Sequence, residues 1–388
     1  MNMFSSVRQT FGQQKSDWSF LDACTQPSTG SLAERELGRK EASFRQEIQT
    51  REEPMRITKF VLSGFAALAV MAAGSAQSEP IKIRNAFVVP VANWAPILEV
   101  KKDLAKHWGK SYTMEAVRFQ GTPPMITALA NNELEIANLA YSTLGLAVQN
   151  AGLDDLRIIA DEFQDGAPGY FSNQYWVRKD SGIDSIKDLK GKVLATNSVG
   201  SGIDIAMKAA LKKNGLVDKR DFTVIEAPFP TMGAMLKDKK ADLVSAVMPF
   251  ALSPDLKEHG KVLFDQTAGL GRSQFVFWVM RKSFIDKNRA AIVDFMEDML
   301  RIERWYLDPK NHDEVAKIAS GFLKVPPERF GWLFTKQDYY RDPNGLPDLE
   351  ALQRNVDTAA DLGFFKPGLN VGAHADLSIV KEAAARLK

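Results

Sequence analysis

The run Ser198-Val199-Gly200-Ser201-Gly202-Ile203-Asp204 lies between an apolar strand pattern, KVLAT (192–196), and an amphipathic helical one. A helix N-terminus presents unpaired N–H groups and a partial positive charge, so it can receive sulfonate, carboxylate or nitrate oxygens. Gly200 and Gly202 permit close backbone approach, and Ser201 with Asp204 fits a capping box. The same residues also describe a plain capped helix, and Asp204 places a negative charge beside any anion. Tyr141, Ser142 and Thr143 set hydroxyls at the end of a second strand pattern, with Gln120 and Thr122 one strand over. Such groups suit hydrogen bonds to a bound anion, and they suit an ordinary polar loop as well. Trp94, Phe229 and Phe250 are read either as apolar walls of a site or as core.

Other reactive types are placed less suggestively. Arg84 and Arg118 sit within strand patterns, where either could pair a ligand anion, although ion pairing across a sheet edge is the expected role. The single cysteine, Cys24, excludes an internal disulfide framework and a Cys-rich zinc site. His107, His259, His312 and His374 lack metal-ligand spacing, and no nucleophile-elbow, Walker or dinucleotide fingerprint stands in its required context. No catalytic residue, metal ligand or cofactor is assigned. The 388 residues carry 50 Lys+Arg against 48 Asp+Glu, a net charge of +2 that gives no electrostatic footprint for nucleic acid.

The N-terminal region reads as two different texts. Residues 1–54 are polar and aperiodic, as in segments too poor in apolar surface to fold alone. From Met55, Arg56 and Lys59 precede the apolar run Phe60 to Gly74, followed by small residues to Ala76. That pattern is a secretory signal peptide over 55–76, and its fifteen apolar and small residues fall short of the ~20 a membrane span needs. Residues 1–54 are then an upstream extension of the reading frame. The competing reading is a cytoplasmic tail with an uncleaved anchor.

From Ile81 onward the chain alternates short apolar strands with helical patterns, an α/β arrangement with mostly parallel strands. It also carries a weak duplication. MITALANNELEIANLA (125–140) aligns with MGAMLKDKKADLVSAV (232–247), so that Glu135 meets Asp242 and Ile136 meets Leu243. These acids, equivalent in two copies, are read as structural. Strands 112–119 and 222–226 precede the copies, and strands 81–87 and 192–196 precede those. Two lobes of one topology follow, each with three equivalent strands. Ligands collect outside the carboxyl ends of strands in open α/β sheets, and clefts between lobes are preferred small-molecule sites. Six segments should therefore form the site: Val89–Trp94, Gln120–Pro124, Tyr141–Thr143, Asn197–Ser201, Ala227–Phe229 and Met248–Phe250.

The similar strands QYWVRKD (174–180) and VFWVMRK (276–282) read as crossovers into the second lobe and back. Glycines in 165–171 and 267–273 suit hinges there, or ordinary loops. The expected division is lobe one over 80–167, lobe two over 168–270, and a return to lobe one over 271–388. Helices are expected at 283–307, 312–324, 328–338, 347–363 and 376–387.

The signal peptide, the paired lobes and the run DSGI…SIKDLKGK (180–192), leading to Gly200-Ser201, resemble a family of periplasmic solute-binding proteins of ABC importers. This is the aliphatic-sulfonate, taurine and nitrate-binding group, which includes thiamine-pyrimidine-synthase-like members. Met248-Pro249-Phe250 is similar to its turn after the second repeat, whereas Asn131 and Asp238 stand where a glycine is more usual nearby. The resemblance implies a two-lobe, type II binding-protein fold and capture of a small organic anion, a sulfonate or carboxylate. It further implies a monomer in the periplasm, ABC permease transmembrane subunits with separate ATPase subunits as partners, and no enzymatic activity. The ligand-binding set carried forward is Trp94, Gln120, Thr122, Tyr141, Ser142, Asn197, Gly200, Ser201, Phe229 and Phe250. The rival class is an enzyme on the same scaffold, and a third is a periplasmic sensor partner that presents ligand to a receptor.

Overall fold

A computed structural model describes residues 79–388. The expected upstream extension and signal peptide, residues 1–76, lie outside the described residues. Ten strands follow in order: β1 (Ile81–Phe87), β2 (Tyr112–Arg118), β3 (Ala137–Ala140), β4 (Leu156–Asp165), β5 (Gln174–Arg178), β6 (Lys192–Thr196), β7 (Phe222–Glu226), β8 (Leu243–Ala246), β9 (Gly260–Asp265) and β10 (Ser273–Arg281).

They form two layouts of the same plan. One runs β2-β1-β3-β10-β4, where β1 meets the approach to β3 through the Asn85–Ile136 bridge. The other runs β7-β6-β8-β5-β9. In each, three parallel strands carry helices in their connections, as parallel pairing requires. Strands β3 (ANLA) and β8 (LVSA) are buried at every position, as in a strand covered on both faces, with Asn138 and Ser245 the one polar residue in each. The duplication read from sequence is therefore a duplication of fold. Its two acids also act alike: Glu135 accepts the Arg84 N–H at 2.7 Å, and Asp242 accepts the Val193 N–H at 2.9 Å. Each carboxylate ties the approach to its third parallel strand onto the first strand of its own lobe. Arg84 also forms the expected ion pair, with Glu135 at 2.6 Å.

Two strands were absent from the sequence reading, so each sheet has five members rather than three plus a crossover. Strand β4 reads LRIIADEFQD and is buried almost throughout, yet it contains Asp161, Glu162, Gln164 and Asp165. Its charged residues conceal a core strand from any apolar-pattern search. Strand β9 follows the short helix Pro254–His259 and pairs with β5. Strands β5 and β10 run antiparallel to β8 and β3, because each arrives from the opposite lobe.

The chain thus passes between lobes twice, over residues 166–173 and 266–272. The passages lie side by side. A Cβ added at Gly166 would sit 2.5 Å from Thr267 Cγ2, and Gly166 and Gly271 both adopt positive φ, +67° and +68°. Gln266 N–H donates to the Asn173 carbonyl at 2.7 Å, and Asn173 Nδ2 donates to Gln266 Oε1 at 2.9 Å.

The C-terminal helix Lys282–Leu307 packs on β2 and on helix Trp94–Val100, and helix Ser378–Arg386 packs on it and on β4. Helices His312–Leu323 and Leu349–Asp361 also form, but the helix expected at 328–338 does not. After a short turn at Pro327–Phe330, Phe334 adopts φ +56° and the chain becomes a strap. Its main chain is recruited elsewhere: Asp338 O accepts from Phe171, Tyr340 O from Gln164, and Gly345 O from Asp161. Tertiary hydrogen bonds to β4 and the first passage override local helical preference.

Candidate functional site

The carboxyl ends of the parallel strands in both lobes face one another, and the lobes touch there. Ser142 Oγ donates to Gly200 O at 3.0 Å, and Tyr141 Oη donates to Gly202 O. Gln120 Nε2 donates to Asn197 O at 3.0 Å, and Asn197 Nδ2 returns a bond to Gln120 O at 3.1 Å. Gly121 lies so near the second lobe that a Cβ there would be 2.6 Å from Ser198 Cβ. The cleft is closed.

Two adjoining cavities remain within it, sharing Val88, Val89 and Phe229 as walls. The inner one, about 50 Å³, is mainly apolar, with Thr122, Asn197 and Ser201 among its walls. The outer one, about 290 Å³, is walled by Phe119, Gln120, Phe250 and three prolines, with Arg118 as its one cation. Phe229 and Phe250 stand nearly parallel, with ring centroids 6.2 Å apart. Arg118 is exposed and, contrary to the ion-pairing expectation, no carboxylate lies within salt-bridge distance of it among the described residues. Of the sequence-derived set, Gln120, Thr122, Asn197, Ser201, Phe229 and Phe250 line the cavities.

Trp94, Tyr141, Ser142 and Gly200 line neither cavity. Trp94 is fully buried, stacked on Phe334 at 5.2 Å, because it opens a helix whose first turn is folded into lobe one. Tyr141, Ser142 and Gly200 use their polar groups on each other's lobes, as the bonds above show. They hold the closed arrangement rather than facing the enclosed space.

At the head of helix Gly202–Lys213, Ser201 Oγ accepts the Asp204 N–H at 3.4 Å. Asp204 turns back to accept from Gly200 N–H at 2.8 Å and from Lys208 Nζ at 2.9 Å. Only half of the expected capping box forms, since Asp204 reaches Gly200 and not Ser201. Burial raises the Asp204 carboxyl, with Lys208 opposing that rise. Gly202 and Ile203, the first two helical residues, both border the inner cavity.

Behind the inner cavity lies a buried polar layer that the sequence reading missed. Glu162 accepts from Trp94 N–H at 2.8 Å, from Trp278 Nε1 at 3.0 Å and from Asn138 Nδ2. Burial pushes its carboxyl up to about 8, against the hydrogen bonds of Trp94, Asn93 and Trp278 and the nearby Arg341. Arg341, itself buried, pairs with Asp338 at 2.9 Å and donates to Ala92 O at 3.1 Å. Its guanidinium lies 4.8 Å from the Phe334 ring centre and 5.4 Å from that of Trp94. This layer fixes the loop carrying Ala92 and Asn93, two residues of the inner wall. Asn93 Oδ1 in turn accepts the Val88 and Val89 N–H groups at 3.0 and 2.8 Å.

Asn93, Asn138, Phe163, Phe275 and Tyr339 complete much of the inner wall. Asn93 fell inside a segment expected at the site, and acids within an otherwise apolar run could have marked β4. Tyr339 had no signal, because it reaches the cleft through the strap.

Two lobes built on one five-stranded plan, joined by paired passages around a closed cleft, define the bilobal fold of periplasmic ligand-binding proteins. The chain belongs to the NMT1-like family, whose profile matches residues 76–320. Among solved structures it resembles the periplasmic nitrate-binding protein NrtA from Synechocystis PCC 6803, at 15% identity and TM-score 0.62, over 80% of this chain and 90% of that one. The alkanesulfonate-binding protein SsuA from Xanthomonas axonopodis pv. citri, bound to MOPS, matches at 18% identity and TM-score 0.58, over 74% and 93%. The desulfurization enzyme DSZB matches at 11% identity and TM-score 0.57, over 79% and 100%. No curated protein sequence matches.

Proposed function

We propose that the protein is the solute-binding component of an ABC importer and captures a small organic anion, a sulfonate or carboxylate, between its lobes. Arg118 carries this reading. It is a cation without a protein partner among the described residues, on the wall of a cavity whose other residues, Gln120 apart, are apolar or aromatic. Such a wall suits an anion attached to an apolar body, because few precisely placed polar groups among apolar side chains are the usual make-up of a ligand site. The passages at 166–173 and 266–272 are where the lobes would hinge, and the bonds of Gln120, Tyr141 and Ser142 to lobe two would form on closure. The loaded protein would deliver its ligand to permease transmembrane subunits served by separate ATPase subunits. It would act as a periplasmic monomer, exported by the run at 55–76, with cleavage after Ala76 leaving Gln77 as the first residue.

The bilobal fold also occurs in an enzyme, DSZB. No histidine, cysteine or carboxylate lines either cavity described here, which favours binding over catalysis. A thermal-shift panel of alkanesulfonates, taurine, nitrate, aromatic carboxylates and neutral pyrimidines tests the proposal. Ligand at 100 times its dissociation constant stabilises by about 2.7 kcal/mol, a shift of about 4 °C at an unfolding entropy of about 2.1 cal/mol/K per residue. A neutral compound that raises the midpoint while no anion does would overturn it.

A further inference from the structure

Val91 is buried and adopts φ +64°. A left-handed backbone strains a β-branched residue, and Val91 is the one such residue with positive φ among the described residues. It sits in the middle of the bend 88–93, which builds much of the cleft wall. Val88 and Val89 line both cavities, Pro90 lines the outer one, and Ala92 and Asn93 line the inner one. Strain of this kind persists only where the surroundings over-determine the backbone, and it gathers at ligand sites.

The bend is held from within and from outside. Within it, Asn93 N–H donates to Val89 O at 3.0 Å, and Asn93 Oδ1 accepts from Val88 and Val89. From outside, Arg341 Nη2 donates to the carbonyl of Ala92, the residue after the strained one, at 3.1 Å. Arg341 stands 249 positions further along the chain and lines neither cavity. Its direction is fixed by Asp338, which accepts from Nη1 at 2.9 Å, and by the rings of Trp94 and Phe334. Phe334, whose ring lies 4.8 Å from the guanidinium, is itself at φ +56°. The planar fork serves Asp338 and Ala92 O together, which a single ammonium group is not shaped to do.

We propose that Arg341 is a positioning residue for the ligand site: it holds Val91 left-handed and so sets the wall that the two cavities share. The shape of that wall is then supplied by the C-terminal strap and not by the bend's own sequence. This rests on the cleft-binding reading and deepens it, and the two fail separately because hydrogen exchange is read without a ligand.

Amide hydrogen exchange on the full protein, read by mass spectrometry on peptides spanning residues 86–93, reports the Val88 and Val89 N–H groups. Arg341→Lys keeps a cation for Asp338 and loses the fork. Exchange in the bend should quicken about tenfold or more, with peptides from β6 and β8 in lobe two unchanged within about twofold. Val91→Gly removes the strain, so adding Arg341→Lys to it should quicken the bend by only about threefold or less. If Arg341 served packing alone, the factor would be the same in both backgrounds. Should Arg341→Lys not fold, Arg341→Met with Asp338→Asn removes both buried charges together and is read in the same way. An unchanged bend, or an equal factor with and without Val91→Gly, overturns the proposal.

Discussion

Tyr339 Oη donates to Asn173 Oδ1 at 2.6 Å and accepts the Met248 N–H at 3.1 Å. The ring of the same residue stacks on Phe163, centroids 4.4 Å apart, and borders the inner cavity. One side chain from the C-terminal strap thereby touches the first passage, lobe two and the enclosed space. Tyr339→Phe removes both bonds and leaves two buried partners unsatisfied, at a cost of about 1–3 kcal/mol for each. Denaturant unfolding should show a lower midpoint with unchanged slope. An unchanged midpoint would mean the hydroxyl contributes nothing.

Closure depends on the absence of a side chain at Gly121, where a Cβ would lie 2.6 Å from Ser198 Cβ. Gly121→Ala should hold the lobes apart without disturbing either core. Ligand affinity should fall at least about tenfold, which is 1.4 kcal/mol, while unfolding stability of the free protein changes little. Calorimetry with small-angle scattering checks this. Wild-type affinity in the variant would show that the lobes do not need this approach.

Stability should depend on pH through buried acids, among them Asp161, Glu162 and Asp165. Burial, the leading cause, raises Asp161 to about 7, Glu162 to about 8 and Asp165 to about 7, from ordinary values of 3.8 and 4.5. Between the two sets of values the folded chain holds protons that the unfolded chain has released. The associated stability is present in full below about pH 4 and is lost as pH rises through 7 to 8. Asp165→Asn cannot ionise, so its stability should decline less steeply between pH 5 and 6.5, by up to about 1.4 kcal/mol per pH unit. Equal slopes for variant and wild type would place the Asp165 proton elsewhere.

These acids also mark where the sequence was opaque. Strands β3 and β8 are four-residue buried runs, each with one small polar residue, in a repeated context, and the repeat exposed both lobes. Strand β4 is as buried, but its acids break the apolar pattern that betrays a core strand. Strand ends located six cavity-lining residues of the ten chosen, because a lobe's topology puts those ends in the cleft. Trp94 looked identical in kind to Phe229, yet one turn of helix sends it into the core. Whether Tyr141 and Ser142 meet a ligand or the other lobe depends on how closely the lobes approach, which no single-chain spacing encodes. Tyr339 arrives from 91 residues beyond Met248, its hydrogen-bond partner.

Arg118 should matter for binding and little for folding, since it is exposed and unpaired among the described residues. A charged hydrogen bond contributes about 1.5–3 kcal/mol, so Arg118→Gln should weaken anion affinity roughly ten- to hundred-fold. The salt dependence of binding should flatten along with it. A variant that binds anions normally would remove the cation from the site.

The most direct test is a crystal structure of the protein with the anion that most raises its melting midpoint. The account predicts ligand density in the cleft, its acidic group within hydrogen-bond distance of the Arg118 guanidinium and its body against Phe229 and Phe250. Density outside the cleft, or an acidic group turned away from Arg118, would contradict it.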